Sequence, residues 1–105
     1  MSELERAAPF ARERLTVSNA VKTLTSSVYN VEGTVGALKA RRASISVEAA
    51  DVRYTNQGTD PVATTTGRLL PTGSILWLNS PQAIATWKGI REGSVDATIE
   101  VEYYR

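Results

Sequence analysis

The stretch from Ser94 to Arg105 reads SVDATIEVEYYR and alternates between two kinds of residue. Every second position from Val95 to Tyr103 is apolar or aromatic, and the positions between them, Asp96 to Tyr104, are mostly polar or charged. Successive side chains of a β-strand point to opposite faces, so this pattern predicts a strand with one buried and one solvated face. Strands of this kind belong to antiparallel sheets that cover a core on one side. We therefore expect the rest of the chain to supply partner strands.

The same alternation occurs upstream. In Ser44–Ala49 the apolar residues face one way, and Val52 and Tyr54 then share a face. The join from Ala49 to Asp51 does not keep the phase of the alternation, which predicts a β-bulge there. Ile75–Leu78 is the most apolar strand segment in the chain.

One short helix is predicted between the last two strands. Ser80 is a favourable N-cap residue, and Pro81 suits the first helical position. Ile84, Trp87 and Ile90 recur every three residues, which indicates one helical face. Gly93 would then end the helix.

These elements predict the fold class. The chain has short strands, one helix and no alternation of strands with long helices, which favours a mainly β protein. We expect a small antiparallel β-sandwich, jelly-roll-like, with one short helix before the C-terminal strand. Residues 15–105 would form this single domain. Residues 1–14 would be a flexible N-terminal arm: either a frayed terminus, or an arm that Phe10 anchors to a neighbouring subunit.

The composition limits the partners. The 105 residues contain 12 Lys plus Arg and 11 Asp plus Glu, a net charge of +1. This balance gives no electrostatic reason to expect binding to nucleic acid or to an anionic membrane. No apolar run reaches the roughly 20 residues of a membrane-spanning helix. The first residues also lack the basic and apolar stretches of a secretion signal.

The chain has no His and no Cys, so it lacks the commonest general base and the thiolate nucleophile. A Ser–Lys pair stays formally open, although no Lys stands out in its surroundings. Glu100 and Glu102 share a strand face, which is more typical of a solvated surface than of acid–base catalysis. No calcium loop or phosphate-binding loop is present. We predict a protein that is not an enzyme and holds no metal or cofactor.

The aromatic and basic residues suggest contacts. Trp77 and Trp87 are expected in the core, and the alternative is that one of them stacks on a sugar ring at the surface. One of Tyr103 and Tyr104 must be exposed, and we expect Tyr104 at a subunit contact, as exposed Tyr is typical of interfaces. The Arg41–Arg42 pair is either a solvated turn or the contact for an acidic patch on a partner. The candidate interface residues are therefore Phe10, Arg41, Arg42 and Tyr104.

The order of several motifs between residues 46 and 105 resembles a known class of protein. VEAADVRY is followed by GTDP, by Ala63-Thr64 with Gly67, by a turn at Gly73, and by the segments around Ile90-Arg91 and 97–104. This arrangement resembles small virion proteins of tailed bacteriophages, which sit on the head as cement or decoration subunits or at the head–tail junction. The resemblance does not cover the first 45 residues.

The resemblance implies a structural virion protein without catalytic residues. We expect a capsid cement or decoration subunit that binds the outer capsid surface and stabilises the head. Its partners would be the major capsid protein and copies of itself, with a trimer as one candidate, and it would be assembled in the host cytoplasm. A head–tail connector or tail component is one alternative, and a carbohydrate-binding module is another.

Overall fold

The structure is a computed structural model that describes residues 9–31 and 38–105. Strands dominate these residues, with two short helices between them. In chain order the elements are β1 (Pro9–Val17), β2 (Lys22–Thr23), α1 (Ser26–Tyr29), β3 (Asn30–Val31), β4 (Leu38–Lys39), β5 (Arg42–Glu48), β6 (Val52–Thr55), β7 (Arg68–Leu70), β8 (Ile75–Leu78), α2 (Pro81–Thr86), β9 (Lys88–Arg91) and β10 (Ala97–Tyr104).

Eight of these strands form two antiparallel four-stranded sheets. The front sheet has the order β1-β10-β5-β8, and the back sheet has the order β2-β9-β6-β7. β3 and β4 form a separate pair. In the two sheets the chain pairs in a nested manner: β1 with β10, β2 with β9, β5 with β8, and β6 with β7.

One hydrophobic core lies between the two sheets. The front sheet contributes residues such as Ile45 and Val101, and the back sheet contributes Val52, Tyr54 and Leu70. Full burial of such a side chain stabilises the folded state by about 1.5–3 kcal/mol. The predicted mainly β fold, with antiparallel sheets and a short helix before the last strand, is confirmed.

The C-terminal strand has the two faces that the sequence predicts. In β10, buried and half-buried residues alternate without interruption from Ala97 to Tyr104. β10 pairs with β1 on one side and with β5 on the other, so it is an inner strand of the front sheet. Val95 is an exception to the prediction: it precedes the strand and is 62% exposed.

The predicted helix begins where expected but is much shorter. The Ser80 hydroxyl accepts a hydrogen bond from the Ala83 N–H at 3.1 Å, and Pro81 is the first helical residue. The helix ends at Thr86 rather than near Gly93, and Lys88–Arg91 forms strand β9. The three-residue spacing was therefore misleading, because the chain is already extended at Trp87, with ψ at 132°.

Gly89 explains how a strand can follow Trp87 so closely. A Cβ atom at Gly89 would lie 2.4 Å from Cη2 of Trp87. The indole of Trp87 therefore occupies the space that a side chain at residue 89 would need. This close approach requires glycine, although the sequence pattern gave no indication of it.

The predicted boundary of the N-terminal arm also differs from the structure. β1 begins at Pro9 and pairs along its length with β10, so the boundary at residue 14 falls inside a strand. Residues 1–8 lie outside the described residues. The sequence-based estimate missed this strand because Pro9 and the mixed charges around Phe10 obscure its alternation.

The loss of phase after β5 is a change of sheet rather than a bulge. β5 ends at Glu48 in the front sheet, and β6 begins at Val52 in the back sheet. Ala49 turns the chain between them with φ at 74°, in the left-handed region that non-glycine residues rarely adopt. The predicted β-bulge is therefore wrong, and the chain crosses here from one side of the core to the other.

Candidate functional site

The outer face of the front sheet carries the most distinctive set of exposed side chains in the described residues. Its β1 edge carries arginines, and its β8 edge carries apolar residues. Ile75 is 61% exposed and Trp77 is 44% exposed. Both belong to β8, which lies at the edge of the sheet next to β5.

An aromatic cluster forms across three adjacent strands of this face. The ring centroids of Trp77 and Tyr104 are 5.4 Å apart with an interplanar angle of 41°. Cζ of Arg42 lies 4.9 Å from the centroid of the Trp77 ring, within the range of a cation–π contact. We call Arg42, Ile75, Trp77 and Tyr104 the Trp77 patch.

Strand register explains why this cluster forms. Tyr104 on β10 is opposite Arg42 on β5, and Trp77 on β8 is opposite Ser44 on β5. Ser44 is small, so the rings from the two flanking strands can meet above it. The patch thus depends on the pairing of three strands that are distant in the sequence.

A polar chain connects the Trp77 patch to the β1 edge. The Tyr104 hydroxyl donates to Oε1 of Glu102 at 2.8 Å, and Nη2 of Arg12 donates to Oε2 of Glu102 at 3.0 Å. The Tyr104 hydroxyl and the Arg12 guanidinium hold the pKa of Glu102 below its usual range. The Glu102 carboxylate therefore stays charged and fixes the orientation of the Tyr104 ring.

The structure brings together two of the four candidate interface residues. Arg42 and Tyr104 both belong to the Trp77 patch. The Arg41 side chain is exposed, and its backbone N–H donates to the Tyr104 carbonyl at 2.8 Å. Phe10 is half-buried in β1 and packs against the core of its own chain.

The central residue of the patch was assigned to the wrong face. Trp77 was predicted to be a core residue, and it does share a face with Ile75, but this is the solvent face. The core face of β8 is formed by Leu76 and Leu78. A four-residue segment that is apolar at every position gives no alternation, so its two faces cannot be told apart from the sequence.

Trp87 and Tyr103 are both buried, as the sequence predicts. Trp87 is 0% exposed and its ring stacks on Tyr54. Tyr103 is fully buried, and its hydroxyl donates to the Glu13 carboxylate, which also accepts from the Thr25 N–H at 3.1 Å. Burial and the nearby carboxylate raise the pKa of Tyr103, so the phenol stays neutral.

The Thr-rich loop between β6 and β7 is tied to the back sheet by an ion pair. Nε and Nη2 of Arg53 donate to the two oxygens of Glu92 at 2.9 and 2.7 Å. The side chains are only 17% and 20% exposed. Nη1 of Arg53 also donates to the Gly67 carbonyl, and Oε1 of Glu92 accepts from the Thr64 N–H. One bidentate pair therefore holds both ends of residues 64–67.

This ion pair predicts a pH dependence of stability. The Arg53 guanidinium, with the Thr64 N–H, lowers the pKa of Glu92 from 4.5 to about 2. A carboxyl whose pKa is lower in the folded state stabilises that state above its unfolded pKa and stops doing so as the pH falls through its folded pKa. We expect Glu92→Gln to lower the urea midpoint at pH 7, and we expect this difference to shrink from about pH 4.5 down to about pH 2.

A matched control is the exposed carboxylate of Glu48, which pairs with Arg14 at 3.0 Å. Surface ion pairs of this kind contribute little. Glu48→Gln should therefore leave the urea midpoint nearly unchanged at every pH. A Glu92→Gln effect that is equally large at pH 7 and pH 2 would contradict the assignment to the charge of Glu92.

The described residues offer little for small-molecule chemistry. No group of three or more Asp or Glu side chains suited to a metal occurs among residues 9–31 and 38–105. A hollow next to Tyr54 and Arg68 holds about 120 Å³. A shallow, open groove along Pro9–Arg12 and Glu102 holds about 300 Å³, at the lower end of the range for ligand pockets. In the same part of the chain, neither helix has the length and apolarity to cross a bilayer.

Comparison with known proteins gives no assignment: no family model, no curated protein and no solved structure matches this chain.

Proposed function

We propose that this chain is a structural virion protein of a tailed bacteriophage, a capsid cement or decoration subunit that binds the outer surface of the head. The observation that best supports a binding role is the Trp77 patch. Trp, Tyr and Arg are the residues that most often dominate the energy of protein–protein contacts. Here one of each lies on the open face of a sheet, where the partner would be the major capsid protein. The choice of a phage capsid rests on the resemblance of the motifs between residues 46 and 105.

The proposed mechanism is mechanical. A cement subunit spans neighbouring capsid subunits and adds contact area that resists outward pressure on the shell. Each contact is modest, and repetition by symmetry, together with self-association, supplies avidity. The polar chain from Arg12 to Tyr104 suits this role, because it holds the patch rigid before binding and lowers the entropy cost of association.

Co-assembly with the capsid protein tests the proposal. The major capsid protein encoded in the same genome would be expressed and assembled into shells, and the purified chain would be added and sedimented with them. We expect wild-type chain to sediment with the shells and to raise their melting temperature. Trp77→Ala should lose at least about tenfold in affinity, as expected for an interface hot spot.

Two variants complete the design. Leu69→Ala removes an exposed apolar side chain from the back sheet and should bind shells normally. A truncation of residues 1–8 tests the N-terminal arm without cutting strand β1, which a deletion to residue 14 would do. Absence of a capsid gene from the genome, or no binding of wild-type chain to shells, would overturn the proposal. Closed rings of the free chain would instead favour a head–tail connector.

The exposure of Trp77 also favours a second candidate, a carbohydrate-binding module. Sugars stack on exposed tryptophan rings, and Trp77 is the exposed one of the two. Against this role, the cation of Arg42 already lies over the ring. Binding of a soluble polysaccharide that Trp77→Ala abolishes would favour this candidate over the capsid proposal.

A further inference from the structure

Among the described residues, the edge strand β8 shows none of the features that usually protect a sheet edge. Edge strands are commonly kept from pairing with other chains by charged residues, prolines or covering segments. The four residues of β8, Ile75–Leu78, contain neither charge nor proline. In the described part of the chain, β5 is the one strand that pairs with it.

The backbone groups on the free edge can be assigned from the pairing with β5. The Val47 N–H donates to the Ser74 carbonyl at 3.1 Å, which makes these two a hydrogen-bonded pair. Such pairs alternate along an antiparallel ladder, so Leu76 and Leu78 direct their backbone groups toward β5. Ile75 and Trp77 therefore direct their N–H and C=O groups away from β5. These are also the two residues whose side chains are exposed.

We infer that β8 pairs with β8 of a second copy of this chain, antiparallel about a twofold axis that passes beside Leu76. In this register Ile75 is opposite Trp77 of the second copy. By the twofold symmetry, Trp77 is likewise opposite Ile75 of the second copy. This is the register in which all four outward backbone groups find partners within β8 itself. Each exposed apolar side chain also meets an apolar side chain, and no charges are brought opposite one another.

The pairing joins two front sheets into one continuous sheet of eight strands. Its twofold axis is perpendicular to the sheet, so the outer faces of both copies point the same way. The two Trp77 patches would then form one surface with two equivalent halves. The inference goes beyond the capsid proposal and does not require it, since self-association is measured on the purified chain alone. It predicts a dimer rather than the trimer, which is one candidate for self-association of a capsid subunit.

Sedimentation equilibrium of the purified chain over a wide concentration range tests the inference. We expect a monomer–dimer equilibrium for wild-type chain. The double variant Ile75→Lys, Trp77→Lys places like charges opposite each other across the twofold axis, and its dimer should be at least about tenfold weaker. Val62→Lys is the matched control, because Val62 is also exposed but lies in the loop between β6 and β7 of the back sheet. The Val62→Lys variant should still form the dimer. Thermal melts would verify that each variant is folded.

The absence of cysteine from the chain allows a direct test of the register. Residues opposite each other in a non-hydrogen-bonded pair have Cα atoms about 4.5 Å apart, within disulfide range. Leu76→Cys should therefore form a covalent dimer on mild oxidation, whereas Val62→Cys should not. A wild-type chain that stays monomeric at all concentrations would overturn the inference. A dimer that survives the double lysine substitution, or that Leu76→Cys fails to link, would overturn it as well.

Discussion

Replacing Trp87 with Ala is expected to lower the free energy of unfolding by about 3–5 kcal/mol. The indole is fully buried, its centroid lies 6.3 Å from that of Tyr54 with the rings nearly parallel, and its far edge fills the space above Gly89. Removing it leaves a cavity that rigid neighbouring strands cannot close. Since small domains are stable by only about 5–15 kcal/mol, the variant should be close to unfolding. Urea denaturation followed by far-ultraviolet circular dichroism measures the loss.

The same substitution at the other tryptophan is the control. Trp77 is 44% exposed and its ring contacts Tyr104 and Arg42, so Trp77→Ala should cost about 1 kcal/mol, well below the loss at Trp87. Trp87→Phe should cost less than Trp87→Ala, because the indole Nε1 has no hydrogen-bond partner among the described residues and only ring volume is lost. Equal losses for Trp77→Ala and Trp87→Ala would show that the assignment of buried and exposed tryptophans is wrong.

Tyr103→Phe is expected to cost about 1.5–3 kcal/mol, the range for a hydrogen bond to a charged group. The Tyr103 side chain is fully buried, and its hydroxyl donates to the partly exposed Glu13 carboxylate. The Glu13 carboxylate would keep only the Thr25 N–H of these two donors. Urea denaturation at pH 7 measures this loss too.

Tyr104 is a control that differs by one position in the sequence. Its hydroxyl donates to Glu102 on the outer face, where water can replace it. Tyr104→Phe should therefore cost less than about 0.5 kcal/mol. If the two substitutions destabilise the chain equally, then burial does not set the strength of the bond from Tyr103 to Glu13.

The sequence was most informative where a strand has one dry and one wet face. In β10 and β5 buried residues alternate strictly with more exposed ones, and the sequence predicts both faces correctly. The exception is Val95, which lies just before β10 and is exposed. The Ser80 cap was also predictable, because a single side chain and a single N–H form it. Helix α2 was predicted too long, because a spacing of three residues can also arise from one helical turn followed by a strand. Only the contact between Trp87 and Gly89 distinguishes the two.

The candidate site was less predictable because it is made by pairing between distant strands. The residue types of Arg42 and Tyr104 indicate interface residues, but nothing in the sequence places the two together. Trp77 was missed because β8 is apolar on both faces. An edge strand that keeps apolar residues on its open face looks, in the sequence, like an inner strand that is buried on both faces. The pairing of the sheet decides between them.

The nested pairing has a consequence for synthesis on the ribosome. β1, at one edge of the front sheet, lies beside β10, and the ion pair between Arg12 and Glu102 joins residues of these two strands that are 90 positions apart. During translation β1 therefore has no strand to pair with until β10 has emerged from the exit tunnel. Domains dominated by such distant pairings fold slowly. The front sheet should thus be completed late in synthesis, and until then its unpaired apolar strands can bind chaperones.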